Sequence, residues 1–581
     1  MRTLHSRSPL AAVVGSPEAR AIISSLAPEL LEMKKVTDFK DLPAGWALTV
    51  ILGEDDPRVA ALLEGITGLP DPRGPLPTAE PIVPDPAYEP QTVARAGARL
   101  VLPEHAEANS MVEIVLEGPS HGNPFVDVDL TARFTRGDST LDVGGFYDGD
   151  GRYLVRFLPP VAGTWAFRVT STARSLDGHE GTIEVQPGDA HGPVRVSDAY
   201  HFTHADGTPF APVGTTAYAW THQDDALMDR TIATLADAPF NKIRMCVFPK
   251  HYLYNTAEPE HFVWVRNEDG SFDPTRFDVE FWHRLEHRLA QLGDLGVQAD
   301  LILFHPYDRW GFAAQPAAVD DCYLRYLVRR LAAFPHVWWS LANEYDLLTD
   351  KTEADWERIA ALIGEEDHVG HLLSIHNWVE PWDFASPWAT HCSIQRGDQL
   401  DHVATWRRRW GKPVLLDEIG YEGDLDQGWG NLTGEELVRR FWEIALRGGY
   451  ATHGETFWDA DDVIWWSKGG VLRGDSPARI AFLERLRQEA PGGRLDPLPS
   501  DWDTITGGVA GRYEITYFGA NRPRFRDVSL PPGMTALVDV VDTWNMTVTP
   551  VPGVHTGALR VDLPARPYVA IRLREADGAP R

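Results

Sequence analysis

Cysteine is scarce in this chain of 581 residues, which contains only three cysteines. Cys246, Cys322 and Cys392 are far apart in sequence and odd in number, which excludes a disulfide framework and a zinc knuckle built from cysteine pairs. Free thiols of this kind suit a reducing compartment. The cysteine content therefore predicts a cytoplasmic protein.

Long hydrophobic runs are also missing. No run reaches the roughly 18 apolar residues that mark a transmembrane helix. The short run from Pro9 to Val14 lies at the lower edge for a signal-peptide core, and Glu18 and Arg20 follow it at once. We therefore predict neither a membrane association nor export.

Basic residues are few relative to acidic ones, 54 against 84, which gives a formal net charge of −30 at pH 7. The phosphates of nucleic acids and the surfaces of anionic membranes repel such a chain, so neither is expected as a partner. High acidity aids solubility but does not identify a substrate. A homo-oligomer is left open.

The length predicts three or four domains, and composition shifts suggest where they begin and end. Helical patterns come first, and a segment with eight prolines between residues 70 and 90 follows, which no helix could cross. Short alternating strands separated by Gly, Asp and Pro turns then suggest a sandwich. The predicted order is an N-terminal helical region over 1–69, a Pro-rich linker over 70–97, an immunoglobulin-like β-sandwich over 98–190, a (β/α)8 barrel over 196–492 and a C-terminal β-sandwich over 498–577.

The middle of the chain alternates apolar strand patterns with amphipathic helices. Eight strands are predicted, at 212–218, 242–248, 297–304, 337–341, 371–376, 389–394, 413–417 and 452–458. The connection between the fifth and the sixth has little helix. Eight βα units over roughly 280 residues have the size of a TIM barrel. The predicted fold class is α/β, a TIM barrel flanked by β-sandwich domains and an N-terminal helical segment.

Two of these strands end in a glutamate, Glu344 after the fourth and Glu418 after the seventh. The carboxyl ends of barrel strands carry the catalytic residues, and strands four and seven face each other across the barrel mouth. Two carboxylates there suggest glycoside hydrolysis with an acid/base and a nucleophile. Apolar neighbours such as Trp338 and Trp339 could keep Glu344 protonated by desolvation. Asn343 could hold a sugar 2-hydroxyl.

These motifs resemble clan A (β/α)8 retaining glycoside hydrolases. The features that carry the resemblance are Asn343-Glu344 at the end of strand four, Glu418 at the end of strand seven and Trp458 at the end of strand eight. The resemblance implies that Glu344 is the acid/base, that Glu418 is the nucleophile and that Trp458 is the sugar platform. It also implies that Arg244 on strand two supports the nucleophile and that no cofactor takes part.

Residues 214–220 and 454–458 are similar to bacterial multidomain members of that clan. In those members an immunoglobulin-like domain precedes the barrel and a small β domain follows it. Glu455 departs from the simple clan pattern because it is a third strand-end carboxylate, and it is counted among the candidates for substrate binding.

The remaining candidates are histidines and aromatic residues near strand ends. We assign His305 and His376 to hydroxyl binding or to tuning of the acid/base, and Trp220 and Tyr421 to the pocket. The predicted substrate-binding set is therefore Trp220, Arg244, His305, Asn343, His376, Tyr421, Glu455 and Trp458.

Two alternatives remain at this stage. Several histidines near strand ends suggest a metal-dependent barrel hydrolase as an alternative. No His-x-His pair follows the first strand, however, so no metal is predicted. A catalytically inactive carbohydrate-binding barrel is the other alternative. The favoured prediction is a retaining glycoside hydrolase that is exo-acting on small oligosaccharides or glycosides, with a carbohydrate as its substrate.

Overall fold

An eight-stranded parallel barrel lies at the centre of the computed structural model, which describes residues 2–53, 55–530 and 533–576. Its strands are β1 (Gly214–Thr216), β2 (Lys242–Cys246), β3 (Gln298–Phe304), β4 (Val337–Ala342), β5 (Leu373–Ser374), β6 (Cys392–Gln395), β7 (Val414–Glu418) and β8 (Tyr450–His453). They are hydrogen-bonded in the order β5-β4-β3-β2-β1-β8-β7-β6. A single parallel bridge from His376 to Ser393 joins the two ends of this order. The predicted parallel barrel is thus confirmed, nearly closed.

Helices cover the outside of the barrel, which explains why its strands are buried on both faces. Every residue of β2, β3, β4 and β7 is buried. The main helices of this layer are Asp225–Asp237, Val279–Asp294, Ala317–Leu331, Glu353–Glu366, Val403–Trp410, Gly434–Leu446 and Ser476–Gln488. Side chains of Asp224, Thr352 and Thr433 cap three of them by accepting backbone N–H bonds. Within the described chain no helix lies between β5 and β6.

The interior of the barrel holds a layer of paired charges. The Lys242 ammonium lies 2.6 Å from an Asp300 oxygen and 2.8 Å from an Asp417 oxygen. Arg244 lies 3.3 Å from Asp417. Asp417 points into this layer, whereas the next residue, Glu418, ends β7 and reaches the barrel mouth. Asp417 is therefore a structural partner.

Helices and two antiparallel sheets precede the barrel. The helices Leu10–Gly15, Pro17–Leu26, Lys34–Asp38, Ala44–Leu52 and Pro57–Ile66 share a hydrophobic cluster of their own. One sheet has the order Arg99–Val101, Val112–Glu117, Arg152–Phe157, Phe146–Tyr147, and the other Ser139–Gly144, Leu130–Arg136, Gly163–Ser171, Glu180–Val185. Both sheets contribute to one apolar cluster. The immunoglobulin-like type and the boundaries of the domains stay predictions.

Antiparallel strands also follow the barrel. Six of them form a sheet in the order Asp496–Pro497, Ile505–Val509, Tyr513–Tyr517, Val569–Glu575, Ala536–Asp542, Thr547–His555, and Phe525–Ser529 pairs with Ala558–Asp562. Tyr517 stacks on Trp442 of the barrel layer with ring centroids 5.4 Å apart, so the sheet packs directly on a barrel helix. No helix in the described part of the chain is long and apolar enough to cross a membrane.

Candidate active site

A pocket of about 380 Å³ opens at the carboxyl ends of the barrel strands. Both predicted catalytic residues, Glu344 and Glu418, line it. The aromatic side chains around them are Tyr252, Tyr307, Trp378, Tyr421, Trp429 and Trp466. Carboxylates on apolar aromatic walls are the combination expected where a sugar ring presents both hydroxyls and C–H faces.

Glu344 follows β4 in a left-handed backbone conformation, with φ at 52°. Such a conformation is costly for a residue with a side chain, and it often marks functional positions. The Tyr307 hydroxyl donates a hydrogen bond to Oε2 of Glu344. The amide nitrogen of Gln395, oriented towards the glutamate, lies 3.2 Å from Oε1. Both carboxyl oxygens thus have a side-chain partner at the pocket wall.

The surroundings of Glu344 favour its protonated form. The side chain is only 4% exposed. Burial, followed by the negative charge of Glu418, raises the pKa of Glu344 to about 8, although Tyr307 and Lys250 oppose the shift. A carboxyl group in this state carries a proton at neutral pH and can give it to a leaving group.

Glu418 ends β7, and its surroundings favour its ionised form. The Tyr218 hydroxyl donates to Oε1, and Nε2 of His376 lies 3.4 Å from the same oxygen. Burial alone would raise the pKa of Glu418, but the contacts with His376 and Tyr218 and the charge of Arg244 outweigh it and lower the pKa to about 2. Glu418 is therefore ionised across the neutral range, as a nucleophile must be.

Asn343 and Arg244 lie beside this pair. A guanidinium nitrogen of Arg244 donates to Oδ1 of Asn343 at 3.0 Å, and the Tyr218 hydroxyl lies 3.3 Å from the same oxygen. The amide nitrogen of Asn343 has no hydrogen-bond partner among the described residues, although Asn343 is buried and is not among the residues that line the pocket. Arg244 is fully buried and reaches the site through Asn343 and through its charge.

Two residues that were predicted to lie in the pocket lie in the core instead. Trp220 is fully buried in the main hydrophobic cluster. His305 is buried with its Nε2 3.1 Å from the carbonyl oxygen of Phe248, and neither residue lines the pocket. Burial lowers the pKa of His305 to about 3, so this histidine is neutral. Direct sugar contact by these two residues is therefore corrected, while tuning of the acid/base by His305 stays a prediction. His376 is also fully buried and outside the pocket lining, and it contacts Glu418.

Trp458 and Glu455 also lie outside the pocket lining. Trp458 is 60% exposed in the connection after β8. The aromatic wall comes instead from Trp429 and Trp466, whose ring centroids are 5.0 Å apart, together with Tyr421. Glu455 accepts backbone N–H bonds away from the pocket. Tyr421 is the aromatic residue of the predicted substrate-binding set that the structure places in the wall.

Sequence reasoning missed Lys250, which lies shortly after β2. Its ammonium packs over the rings of Tyr218 at 3.8 Å, Tyr307 at 4.3 Å and Trp466 at 4.6 Å. The residue is 3% exposed, and no carboxylate of the described chain lies within ion-pair distance of it. Burial lowers the pKa of Lys250. A lone lysine matches no local motif, so only the fold reveals that three aromatic rings surround the Lys250 ammonium.

Models of known protein families match three parts of the chain. Residues 197–478 match a family described as apiosidase-like, catalytic domain. Residues 106–172 and 502–574 match two domains of unknown function, DUF5060 and DUF5605. No curated protein matches the chain.

Solved structures provide a second comparison. A protein from Bacteroides vulgatus ATCC 8482, provisionally assigned as a glycoside hydrolase, is 36% identical, with a TM-score of 0.77 over 82% of this chain and 100% of that one. A glycoside hydrolase family 5 protein from the same organism is 15% identical, with a TM-score of 0.52 over 66% of this chain and 94% of that one. The second likeness concerns the fold alone.

Proposed function

This chain belongs to the glycoside hydrolases that carry an apiosidase-like catalytic domain, and we propose that it cleaves an O-glycosidic bond with retention of anomeric configuration. The main support for the proposal is that the two glutamates of one pocket have opposite protonation states at neutral pH. The pKa of Glu344 is raised to about 8 by burial and by Glu418. The pKa of Glu418 is about 2, because contacts with His376 and Tyr218 outweigh burial. One group can give a proton while the other attacks.

In the first step, the Glu418 carboxylate forms a bond to the anomeric carbon as the bond from that carbon to the leaving oxygen breaks. Glu344 gives its proton to the leaving oxygen, which departs as an alcohol. We assign the amide nitrogen of Asn343, which lacks a partner among the described residues, to a hydroxyl of the bound sugar. The product of this step is a glycosyl ester on Glu418.

In the second step, Glu344 acts as a base. Its carboxylate takes a proton from a water molecule, the water oxygen bonds to the anomeric carbon, and the ester bond to Glu418 breaks. Two displacements on the same carbon restore the starting configuration. Tyr218 and His376, which contact Oε1 of Glu418, stabilise the carboxylate as it leaves.

The substrate class follows from the pocket and the family. Aromatic walls on a compact pocket suit one or two sugar residues, which supports exo action on small oligosaccharides or glycosides. The apiosidase-like family favours a branched pentofuranoside as the first candidate for the sugar in the pocket. The three free cysteines, two of them buried, support a cytoplasmic location.

A panel of aryl glycosides tests this proposal, with pyranosides and furanosides, apiofuranosides included, in both anomeric configurations. We expect turnover of at least one furanoside or pyranoside and loss of that turnover in Glu418→Ala at unchanged thermal stability. Binding without turnover across the whole panel would instead support the catalytically inactive carbohydrate-binding alternative. Equal turnover by Glu418→Ala would reject the nucleophile.

A further inference from the structure

Three potential metal ligands lie together outside the pocket. Glu422, His453 and Glu455 each offer one ligand atom, and these atoms lie within 4.8 Å of one another. His453 ends β8, while Glu422 and Glu455 are register partners in a short parallel pair of strands, Glu422–Gly423 and Glu455–Thr456, that continues from the barrel edge. All three side chains are buried.

The two carboxylates accept hydrogen bonds from backbone nitrogens. Glu422 accepts from the backbone nitrogens of Asp475 at 2.8 Å and Ser476 at 3.0 Å. Glu455 accepts from the backbone nitrogen of Gly474 at 2.9 Å. No lysine or arginine side chain of the described chain lies within ion-pair distance of either glutamate. Two buried carboxylates this close together are costly unless a cation or a proton accompanies them.

His453 supplies the independent observation. It is fully buried, and its Nδ1 lies 3.1 Å from the Thr215 hydroxyl. Its Nε2 has no hydrogen-bond partner among the described residues and lies 4.0 Å from Oε2 of Glu455. An imidazole nitrogen that has no hydrogen-bond partner and lies near a carboxylate is free to bind a metal ion.

We propose that Glu422, His453 and Glu455 bind one divalent transition-metal ion, with Zn²⁺ as the first candidate, at a structural site. One imidazole nitrogen and two carboxylate oxygens suit this class of ion. The ligands need to move inward by less than about 1 Å to reach the usual bond lengths of about 2.0–2.2 Å. The Thr215 hydroxyl would accept the Nδ1 proton of His453 and so orient the ring.

A cation at this point would join three parts of the barrel mouth: the segment after β7, the segment after β8 and the start of helix Ser476–Gln488. The connection between Glu455 and Ser476 carries Trp466, which lines the pocket. The ion would thus brace a pocket wall without contact with Glu344 or Glu418. Removal of the ion should lower the Tm clearly and should change the intrinsic rate of the reaction little.

The test is the metal content of the full chain, measured by plasma mass spectrometry after exhaustive dialysis, with thermal unfolding before and after a chelator. We expect about one metal ion per chain, a lower Tm after chelation, and recovery of Tm when Zn²⁺ is added back. His453→Gln and Glu455→Gln should each lower the bound metal at least tenfold. The matched control is His222→Gln, because His222 also has a ring nitrogen without a partner but no carboxylate beside it.

The contrary result is equally distinct. Less than about a tenth of an equivalent of metal in the wild type, with no change of Tm on titration with Zn²⁺, Mn²⁺ or Ca²⁺, would overturn the site and leave a shared proton as the partner of the two carboxylates. The metal content of the wild type decides this even if a variant fails to fold. Since no glycoside enters the measurement, its failure is distinct from failure of the proposed hydrolysis.

Discussion

Two pairs of glutamates lie at the same edge of the barrel, and their partners differ in kind. Glu344 and Glu418 receive hydrogen bonds from the side chains of tyrosines and lie against an open pocket. Glu422 and Glu455 are held mainly by backbone N–H groups and are enclosed. Side-chain donors can release or follow a carboxylate during a reaction, whereas backbone donors are fixed. The first arrangement suits chemistry, and the second suits bracing.

The pairs also differ in how they divide charge. In the pocket, the contacts from His376 and Tyr218 fall on Glu418 alone, so the two pKa values move apart, to about 8 for Glu344, where burial dominates, and about 2 for Glu418. In the enclosed pair, burial raises the pKa of Glu455 to about 7 although backbone donors oppose the shift. Burial is common to both sites, so burial alone does not identify a catalytic carboxylate.

Replacement of the proposed nucleophile should have the greatest effect on activity. Glu418→Gln should lower kcat/KM by on the order of 10⁴-fold, because the first displacement loses its attacking oxygen. Glu455→Gln, the matched change in the enclosed pair, should keep kcat/KM within about tenfold when assayed well below its Tm. Steady-state kinetics on the best aryl glycoside measure both. Equal losses in the two variants would remove the distinction between the pairs.

The next effect concerns the acid/base. Glu344→Gln should slow hydrolysis of glycosides with poor leaving groups by about 10³-fold, because the leaving oxygen no longer receives a proton. A dinitrophenyl glycoside, whose leaving group needs no proton, should lose much less in the first step. Pre-steady-state kinetics on the two substrates make the comparison. The same loss for both leaving groups would show that Glu344 is not the acid.

A smaller effect is expected at Lys250. Lys250→Met should lower kcat/KM about tenfold, because the cation packs on the rings of Tyr218 and Tyr307, whose hydroxyls contact the two glutamates. In the wild type, kcat/KM should fall as the pH rises through about 8 and Glu344 loses its proton. The positive charge opposes the rise in the pKa of Glu344, so the basic limb should move to higher pH in Lys250→Met.

Lys250→Arg serves as the control for that limb. It keeps the charge, so the basic limb should stay near its wild-type position even if the rate falls. An unchanged pH profile in Lys250→Met would contradict the electrostatic role of Lys250 and leave packing as its contribution.

The smallest effect is on stability. The pKa of Glu344 is raised by burial in the folded state from a usual value of 4.5 to about 8, so the folded state binds this proton more tightly than the unfolded state. Stability from this group is present below about pH 4.5 and is lost as the pH rises to about 8. Glu344→Gln should therefore raise Tm by about 2 °C at pH 8 and by less at pH 5. An equal shift at both pH values would show that ionisation is not the cause.

Much of the barrel could be predicted from the sequence because its signal is local. The strands β3, β4 and β7 are rich in apolar residues, and each predicted strand overlaps an observed one. Glu344 and Glu418 could be found because a strand-end carboxylate after such a run stands out. Parallel strands bring their carboxyl ends to one edge, so placing the strands in order also brought both glutamates to one pocket.

The aromatic wall could not be predicted in the same way. Trp220 and Trp458 both lie near strand ends, yet one is in the core and the other is largely exposed. In a connection without a repeating pattern, the local sequence does not indicate whether an aromatic side chain points towards the core, the pocket or solvent. Contacts with residues distant in sequence fix the positions of Lys250 and Trp429, and no local pattern predicts these positions.

Double displacement at Glu418 fixes the configuration of the anomer that is released first. Proton NMR of the anomeric region in the first minutes of hydrolysis, at an enzyme concentration high enough to outpace mutarotation, identifies that anomer. We expect a sugar with the same configuration as the substrate, because a glycosyl ester forms on Glu418 before water attacks. A first product of inverted configuration would contradict double displacement and would make Glu418 a base for water rather than a nucleophile.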